Sequence, residues 1–405
     1  MKYVILVGDG MGDYPVAQLG DKTPLEAAQI PTIDELCKNG ELFLNRTVPE
    51  GFPPGSDVAN MSLLGYAPAL YYTGRSPLEA AAMGVELADD ETAFRCNMVT
   101  LERGSDGSVQ MVDFSAGHIS NEESHQLITA LNNECANEMF TFHPGVSYRH
   151  LMVLKGAHPG FETVPPHDYI EQNVSEFFNR YLQDSTWKEL IEKIEKTLAD
   201  HPVNQTRIAA GKAPANMVWL WGEGKMPSAP PLTSRFDISG SMISAVDLLK
   251  GLGVVGGLSI LDIEGATGYI DTNYEGKAQA AIESLKVQDF TFVHLEGPDE
   301  AGHKGSLEDK MQAIEDFDSR IVKPILDYLV EAEEEFRMVV TMDHFTPLAI
   351  RTHTTDPVPT IIYDSRRPTP GCGRAFNEKE AIAIDRELGN GIEAGHTMIE
   401  KLLEQ

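Results

Sequence analysis

The stretch Met338–Pro347 limits what this chain can fold into more than any other. Its apolar run, Met338-Val339-Val340-Thr341-Met342, stops on Asp343-His344, and a second histidine, His353, follows nine residues later. A short, β-branched apolar run bounded in this way reads as a buried strand. In an open α/β sheet, ligands bind beyond the carboxyl ends of the strands. Asp and His placed there suit a divalent cation. The sequence therefore predicts an α/β protein with a metal-bearing sheet edge.

The formal net charge of −30 argues against a nucleic-acid partner, whose phosphate backbone needs a basic face, and against an anionic membrane surface. A small anionic substrate remains open, because a few Arg or Lys can dominate inside a cleft. Cys37, Cys96, Cys135 and Cys372 are far apart in sequence and form no C-x-x-C pair, so they read as free thiols in a reducing compartment. Tyr3–Val7 is too short for a secretion signal, and no run is long enough to span a bilayer. A cytoplasmic protein with neither nucleic-acid nor membrane partner is expected; the oligomeric state is left open.

At 405 residues the chain has room for two or three domains. Lys2–Val7 reads as a strand ending on Gly8-Asp9-Gly10-Met11-Gly12. Helix starts are expected at Pro24 and Pro31, with a stop at Asn39-Gly40. Ser56 follows a Pro/Gly loop at an expected N-cap position; a cap is its plain role and a nucleophile its sharper one. From residue 74 to 227 the texture changes to short strands and helices. Strands are expected at 94–101, 109–114, 139–142, 148–154 and 217–221, and helices at 121–132 and 174–198. This segment reads as an α+β insert. The rhythm then returns to α/β, with helices expected at 239–249, 274–285, 306–334 and 392–403 and strands at 289–295, 336–341 and 357–363. The predicted division is 1–73 with 228–405 as a discontinuous core, and 74–227 as the insert.

Three predicted strand ends thus carry ligand-type residues: Asp9; Asp299 with His303; and Asp343 with His344, then His353. Singly, each has a plainer reading as a turn residue or surface histidine. Together, three carboxylates and three imidazoles are what a two-metal centre for phosphoryl displacement needs. The oxygen and imidazole mixture favours Mn²⁺ or Zn²⁺ over an all-oxygen Mg²⁺ site.

Gly8-Asp9-Gly10-Met11-Gly12, Pro54-Gly55-Ser56-Asp57-Val58-Ala59, Gly74-Arg75-Ser76-Pro77-Leu78-Glu79, Pro298-Asp299-Glu300-Ala301-Gly302-His303 and Asp343-His344 through His353-Thr354-Thr355 resemble, in order, the motifs of the archaeal-type cofactor-independent phosphoglycerate mutases. That family belongs to the alkaline phosphatase superfamily. The resemblance implies an alkaline-phosphatase-like core, with a mostly parallel sheet flanked by helices, and an inserted cap. It implies two divalent ions, Mn²⁺ first, with Mg²⁺, Zn²⁺ or Co²⁺ as alternatives, and no bisphosphoglycerate. Asp299, His303 and His353 would hold one ion, and Asp9, Ser56, Asp343 and His344 the other. Ser56 would carry a phosphoserine during interconversion of 3- and 2-phosphoglycerate, a small anionic substrate. By the same resemblance His118, Arg149, His167 and Asp168 are substrate-site residues of the cap. His118 or Asp168 would serve as acid or base, Lys277 as a phosphate contact, and Arg75 as a substrate or hinge residue. The insert is expected to act as a lid that excludes water.

The same core supports other chemistry. A homoserine kinase-like phosphotransferase is one rival, weakened by the lack of a G-x-x-x-x-G-K-[ST] loop. A plain phosphomonoester hydrolase is another. A non-catalytic metal-binding protein is a third, but no expected ligand is missing.

Overall fold

The computed structural model describes residues 1–158, 160–366, 371–389 and 391–403. The chain divides into two compact units, one of residues 1–72 with 228–405 and the other of residues 73–227. The first unit opens with strands β1 (Lys2–Gly8) and β2 (Glu41–Arg46). The inserted unit carries β3 (Glu91–Arg103), β4 (Val109–Asp113), β5 (Phe140–Val146), β6 (Arg149–Lys155) and β7 (Met217–Gly224). The first unit then resumes with β8 (Gly240–Ile243), β9 (Ser259–Ile260), β10 (Phe290–Leu295), β11 (Phe336–Thr341), β12 (Val358–Asp364) and β13 (Glu393–Ala394).

The first unit is α/β. Its eight strands run in the order β13-β2-β12-β11-β1-β10-β8-β9. β1 lies parallel between β10 and β11, with Val7 in register with His294 on one side and Thr341 on the other. Only β12 runs against its neighbours β11 and β2. The central strands are buried along their length, so Tyr3–Val7 and Met338–Val340 read as continuous apolar runs instead of alternating ones. Because β10, β1 and β11 are parallel, their carboxyl ends open on one edge, which is where the chemistry-bearing residues lie.

The inserted unit is a separate five-stranded antiparallel sheet in the order β4-β3-β6-β5, with β7 also on β3. Its core is aromatic, built on Phe94, Phe140, Tyr181, Trp187 and Trp219.

Several elements depart from the expectations. The helix expected over 174–198 is two helices, Ser175–Tyr181 and Ser185–Asp200. Asp184 starts the second by accepting from the backbone N–H of Thr186 and Trp187. The segment 239–249 is β8 followed by the helix Asp247–Val255, because Gly240–Ile243 pairs with β10. The helix expected over 306–334 is interrupted by a wide π turn, Phe317–Val322, between Leu307–Asp316 and Lys323–Glu331. Pro324 has no N–H to give Arg320 four residues back, and the ladder loosens there. The segment expected as a helix over 392–403 holds β13 and only a short helix, Met398–Leu403.

The helix Glu378–Leu388 begins on a buried carboxyl. Glu378 accepts from the backbone N–H of Asp13 at 3.1 Å and from the Thr23 hydroxyl at 2.7 Å. Burial pushes this carboxyl up to about 7. A carboxyl raised on folding makes the folded state take up a proton, so its contribution is most favourable at or below about pH 4.5 and is lost as pH rises to about 7. Glu378→Gln is expected to remove that part of the pH dependence. Urea unfolding in EDTA should show wild type losing on the order of 2–3 kcal/mol relative to the variant between those limits. Equal slopes in the two proteins would refute the assignment.

Candidate metal centre

Three turns deliver ligand-type side chains to the carboxyl edge of the first unit's sheet. Asp9 follows β1, and Gly10 beside it adopts φ +63°, where an added Cβ would lie 2.6 Å from the Asp299 Cα. Only glycine permits that approach. Beyond β10, the chain enters a helix at once, Gly297–Lys304, so Asp299 and His303 stand four residues apart on one helical face. Asp343 and His344 follow β11. The expected strand ends do carry the expected residues, and the fold brings them into one buried place: Asp9, Asp299, Asp343 and His344 are all enclosed.

His303 Nε2 lies 3.3 Å from Asp299 Oδ2, and His353 Nε2 lies 3.3 Å from Asp299 Oδ1. The two Nε2 atoms are 2.9 Å apart. His303 Nδ1 is held by the Arg351 carbonyl at 3.0 Å, which aims its other nitrogen inward. His344 Nε2 lies 3.6 Å from Asp9 Oδ1, 3.4 Å from Asp343 Oδ2 and 3.2 Å from the Ser56 hydroxyl. Its ring stacks on His353 at 4.0 Å.

Ser56 departs from its expected local role. Gly55 is the N-cap, and Ser56 is the first residue of the helix Ser56–Leu63. Its hydroxyl faces His344 and caps nothing. Asn60, one turn on, donates to the Ser56 carbonyl at 2.9 Å and to Asp343 Oδ2 at 3.0 Å. The Gly10 N–H donates to Asp343 Oδ1 at 3.2 Å.

His294 belongs to this place and was not singled out from sequence. It is fully buried, with Nε2 3.0 Å from Asp9 Oδ2. That contact is not aligned as a hydrogen bond: His294 Nε2 and Asp9 Oδ1 are buried polar atoms without a hydrogen-bond partner. Such orphans are costly unless something else meets them. The ligand atoms of Asp9, His294 and Asp343 lie within 4.8 Å of one another, as do those of Asp299, His344 and His353. This grouping sets His344 with Asp299 and His353 and adds His294 to Asp9 and Asp343.

The electrostatics agree with a cation-shaped need. Burial, then the charges of Asp343 and Asp299, hold the Asp9 carboxyl well above its usual range. Burial also opposes ionisation of Asp299, but hydrogen bonds from His303 and His353 prevail and hold it well below. His303 is raised to about 9, first by its hydrogen bond to Asp299. Burial lowers His294 to about 4, leaving a neutral imidazole with a free lone pair. Converging carboxylates and imidazoles, with His294 Nε2 and Asp9 Oδ1 left without hydrogen-bond partners, fit divalent cations.

The inserted unit gathers a second set by itself. Phe114 makes ring contacts with His118, Tyr148 and His167 at 5.5–6.3 Å. The Arg149 guanidinium lies over Tyr148 at 5.8 Å, and His167 packs on Trp221 at 5.4 Å. His167 Nε2 is 3.7 Å from Asp168 Oδ1. Arg95, unmarked in the sequence reading, lies over Trp221 at 4.4 Å and 2.9 Å from Glu79. Arg75 and Arg95 flank Gly222, and the Arg75 Nε is buried without a hydrogen-bond partner. Burial, then the charges of Arg75 and Arg149, pull Arg95 down against Glu79. Lys277 belongs to the other unit. It is fully buried in the first unit on the helix Tyr274–Leu285, donating to the His294 carbonyl at 3.1 Å.

Comparison with known proteins gives these positions a context. The sequence profile of the 2,3-bisphosphoglycerate-independent phosphoglycerate mutase family matches residues 37–204. A 2,3-bisphosphoglycerate-independent phosphoglycerate mutase of Methanosarcina barkeri is 51% identical over 383 residues, covering 94% of this chain and 95% of the relative. A probable member from Geobacter sulfurreducens is 46% identical over the full length of both chains. Among solved structures, the cofactor-independent phosphoglycerate mutase of Thermoplasma acidophilum is similar with a TM-score of 0.66 and 26% identity, covering 100% of this chain and 99% of that one. A protein of Pyrococcus horikoshii is similar with a TM-score of 0.80 and 28% identity, over 100% and 96%. With identity at this level across almost its whole length, the chain belongs to the 2,3-bisphosphoglycerate-independent phosphoglycerate mutase family of enzymes.

Proposed function

We propose that this enzyme interconverts 3-phosphoglycerate and 2-phosphoglycerate through a phosphoserine at Ser56, without bisphosphoglycerate. The observation that carries the reading is the Ser56 hydroxyl, 3.2 Å from His344 Nε2 at a helix start, beside the buried Asp and His ligand atoms. Asp299, His303 and His353, and Asp9, Ser56, Asp343 and His344, would hold two divalent cations, Mn²⁺ first, with His294 beside Asp9. Bound cations neutralise phosphoryl oxygens and lower the pKa of a serine hydroxyl.

The chain's own groups do the rest. Ser56 gives up its hydroxyl proton to solvent and its Oγ attacks phosphorus; the P–O bond to the glycerate breaks, and the ester oxygen leaves with the bonding electrons and takes a proton. The helix start favours the added negative charge on Ser56. Asn60 and Gly10 fix Asp343 so that it need not reorganise. The freed glycerate then presents its other hydroxyl, which attacks the phosphoserine and releases Ser56. His118 and Asp168 are the proposed proton carriers for these hydroxyls. Arg75, Arg95 and Arg149 form a cationic set suited to a carboxylate or phosphate, since a guanidinium fork meets either with two hydrogen bonds, and His167, which burial keeps neutral, stands with them as a hydrogen-bonding group. Lys277, enclosed as it is, is assigned to the field around the site. No helix among the described residues is long and apolar enough to cross a membrane. A cytoplasmic location is proposed with the function.

Incubation with Mn²⁺ and 3-phosphoglycerate alone, followed by ³¹P NMR, tests the reaction. Wild type should form 2-phosphoglycerate, and Ser56→Ala should lose on the order of 10⁴-fold in rate. Phosphate release alone would identify a hydrolase instead, and transfer from ATP to homoserine a kinase. EDTA should abolish turnover and Mn²⁺ restore it. Mn²⁺ at about 100 times its dissociation constant should stabilise the protein by about 2.7 kcal/mol, read as a rise in Tm. An unchanged Tm would count against the metal centre. Arg149→Ala, an exposed change, should raise KM about tenfold or more, as expected for losing a charged hydrogen bond. A fall in kcat with KM unchanged would place Arg149 elsewhere in the reaction.

A further inference from the structure

One fully buried cation close to the ligand-bearing turns has no part in the chemistry above. Lys310, on the helix Leu307–Asp316, has no exposed surface. An ammonium survives burial only when its three N–H donors are met. Lys310 Nζ donates to the Gly12 carbonyl at 3.0 Å, to Asp13 Oδ2 at 2.8 Å and to the Thr346 carbonyl at 2.9 Å. Gly12 and Asp13 close the turn that carries Asp9. Thr346 lies on the turn that carries Asp343 and His344. One ammonium therefore joins two ligand-bearing turns that are more than three hundred residues apart in sequence.

The neighbours of Lys310 continue the same tie. Asp13 accepts from the backbone N–H of Leu348 at 3.1 Å and of Tyr14 at 2.8 Å. Its own N–H is taken by Glu378 at 3.1 Å. The Thr346 N–H donates to the Gly12 carbonyl at 3.3 Å. The Thr346 hydroxyl donates to Asp299 and lies 3.3 Å from His344 Nδ1. Gly302 packs so closely on Thr346 that an added Cβ would lie 2.4 Å from its carbonyl oxygen. The turns after β1 and β11 and the helix after β10 thus meet at Thr346, and Lys310 holds it from behind.

We propose that Lys310, paired with Asp13, is a positioning residue of the metal centre. It fixes the turns 9–13 and 343–348 against each other before any cation binds, so that Asp9, Asp299, Asp343 and His344 converge in advance. This rests on the reading of those residues as metal ligands. Groups behind the ligands set ligand orientation and hence metal affinity, whereas an ion pair that only fills the core sets folding stability alone.

The test uses the full chain as wild type, Lys310→Met, the charge-neutral pair Lys310→Met/Asp13→Asn, and a control, Arg337→Met. The control breaks the half-buried 2.8 Å pair with Asp364 at the other end of β11. Mn²⁺ dissociation constants are read by titration calorimetry on protein that is folded by circular dichroism, with Tm in EDTA read beside them. The neutral pair should bind Mn²⁺ about tenfold or more weakly than wild type. The control should melt lower yet bind as wild type does. Equal affinity in wild type and the neutral pair overturns the proposal and leaves the metal centre standing. Failure of wild type itself to bind Mn²⁺ overturns the metal reading and this proposal with it. If the variants do not fold, hydrogen exchange on wild type decides. Amides of Thr346 and Leu348 that are as protected in EDTA as with Mn²⁺ support the proposal; amides that exchange freely in EDTA overturn it.

Discussion

Three carboxylates, Asp9, Asp299 and Asp343, share one enclosed place, and that crowding is the constraint on which the site depends. Two like charges about 4 Å apart cost about 4 kcal/mol at the effective dielectric of a protein. Three of them cannot all be ionised there without compensation. Protons are one compensation: burial and the neighbouring carboxylates hold Asp9 high, and Asp299 raises His303 to about 9. Cations would replace those protons, which makes metal binding and proton release one event.

The sheet is what makes the crowding possible. Parallel order at β10-β1-β11 sends all three chains out on the same edge, and the crossover helices bury both faces behind them. Hydrogen bonds then remove the remaining freedom. Asn60, Gly10 and the Thr47 hydroxyl hold the Asp343 residue, and Arg351 holds His303. Phosphoryl transfer is mostly positioning and charge neutralisation, so a rigid edge of this kind is most of what the reaction asks of the protein.

The legible part of the fold and site was where local pattern and tertiary role coincide. β1 and β11 are central strands, so their apolar runs are continuous and the polar residues that end them stand out. Asp299 and His303 are spaced by one helical turn, and a helix holds them. The rest was hidden for physical reasons. His294 sits inside the apolar strand Phe290–Leu295, where a histidine reads as one more core residue; its neighbour across β1, seven residues into the chain, is known only from the register. Ser56 follows Gly55, and either residue can cap a helix, so the sequence could not tell which one did. Asp184 breaks a pattern that is helical on both sides. Lys277 and Lys310 lie on amphipathic helices, where a lysine ordinarily belongs to the wet face; only packing puts them inside.

Those two lysines also bear on how an acidic chain could serve the anionic substrate proposed for it. Both are fully buried, and burial pulls both ammonium groups down. At Lys310 the Asp13 carboxylate is in direct contact and opposes that pull. At Lys277 the hydrogen bond goes to a carbonyl, only the field of Glu296 opposes, and the group falls to about 8. Glu296, enclosed near Asp299, rises to about 8 as well. A charge of −30 spread over the chain is screened by solvent within about 8–10 Å. A charge enclosed near the site is screened far less. The local field therefore follows from a few enclosed groups, Lys277, Glu296, Lys310 and Asp13, together with whatever cations the Asp and His cluster holds. Net charge sets what the surface avoids and leaves the chemistry at the sheet edge to those few.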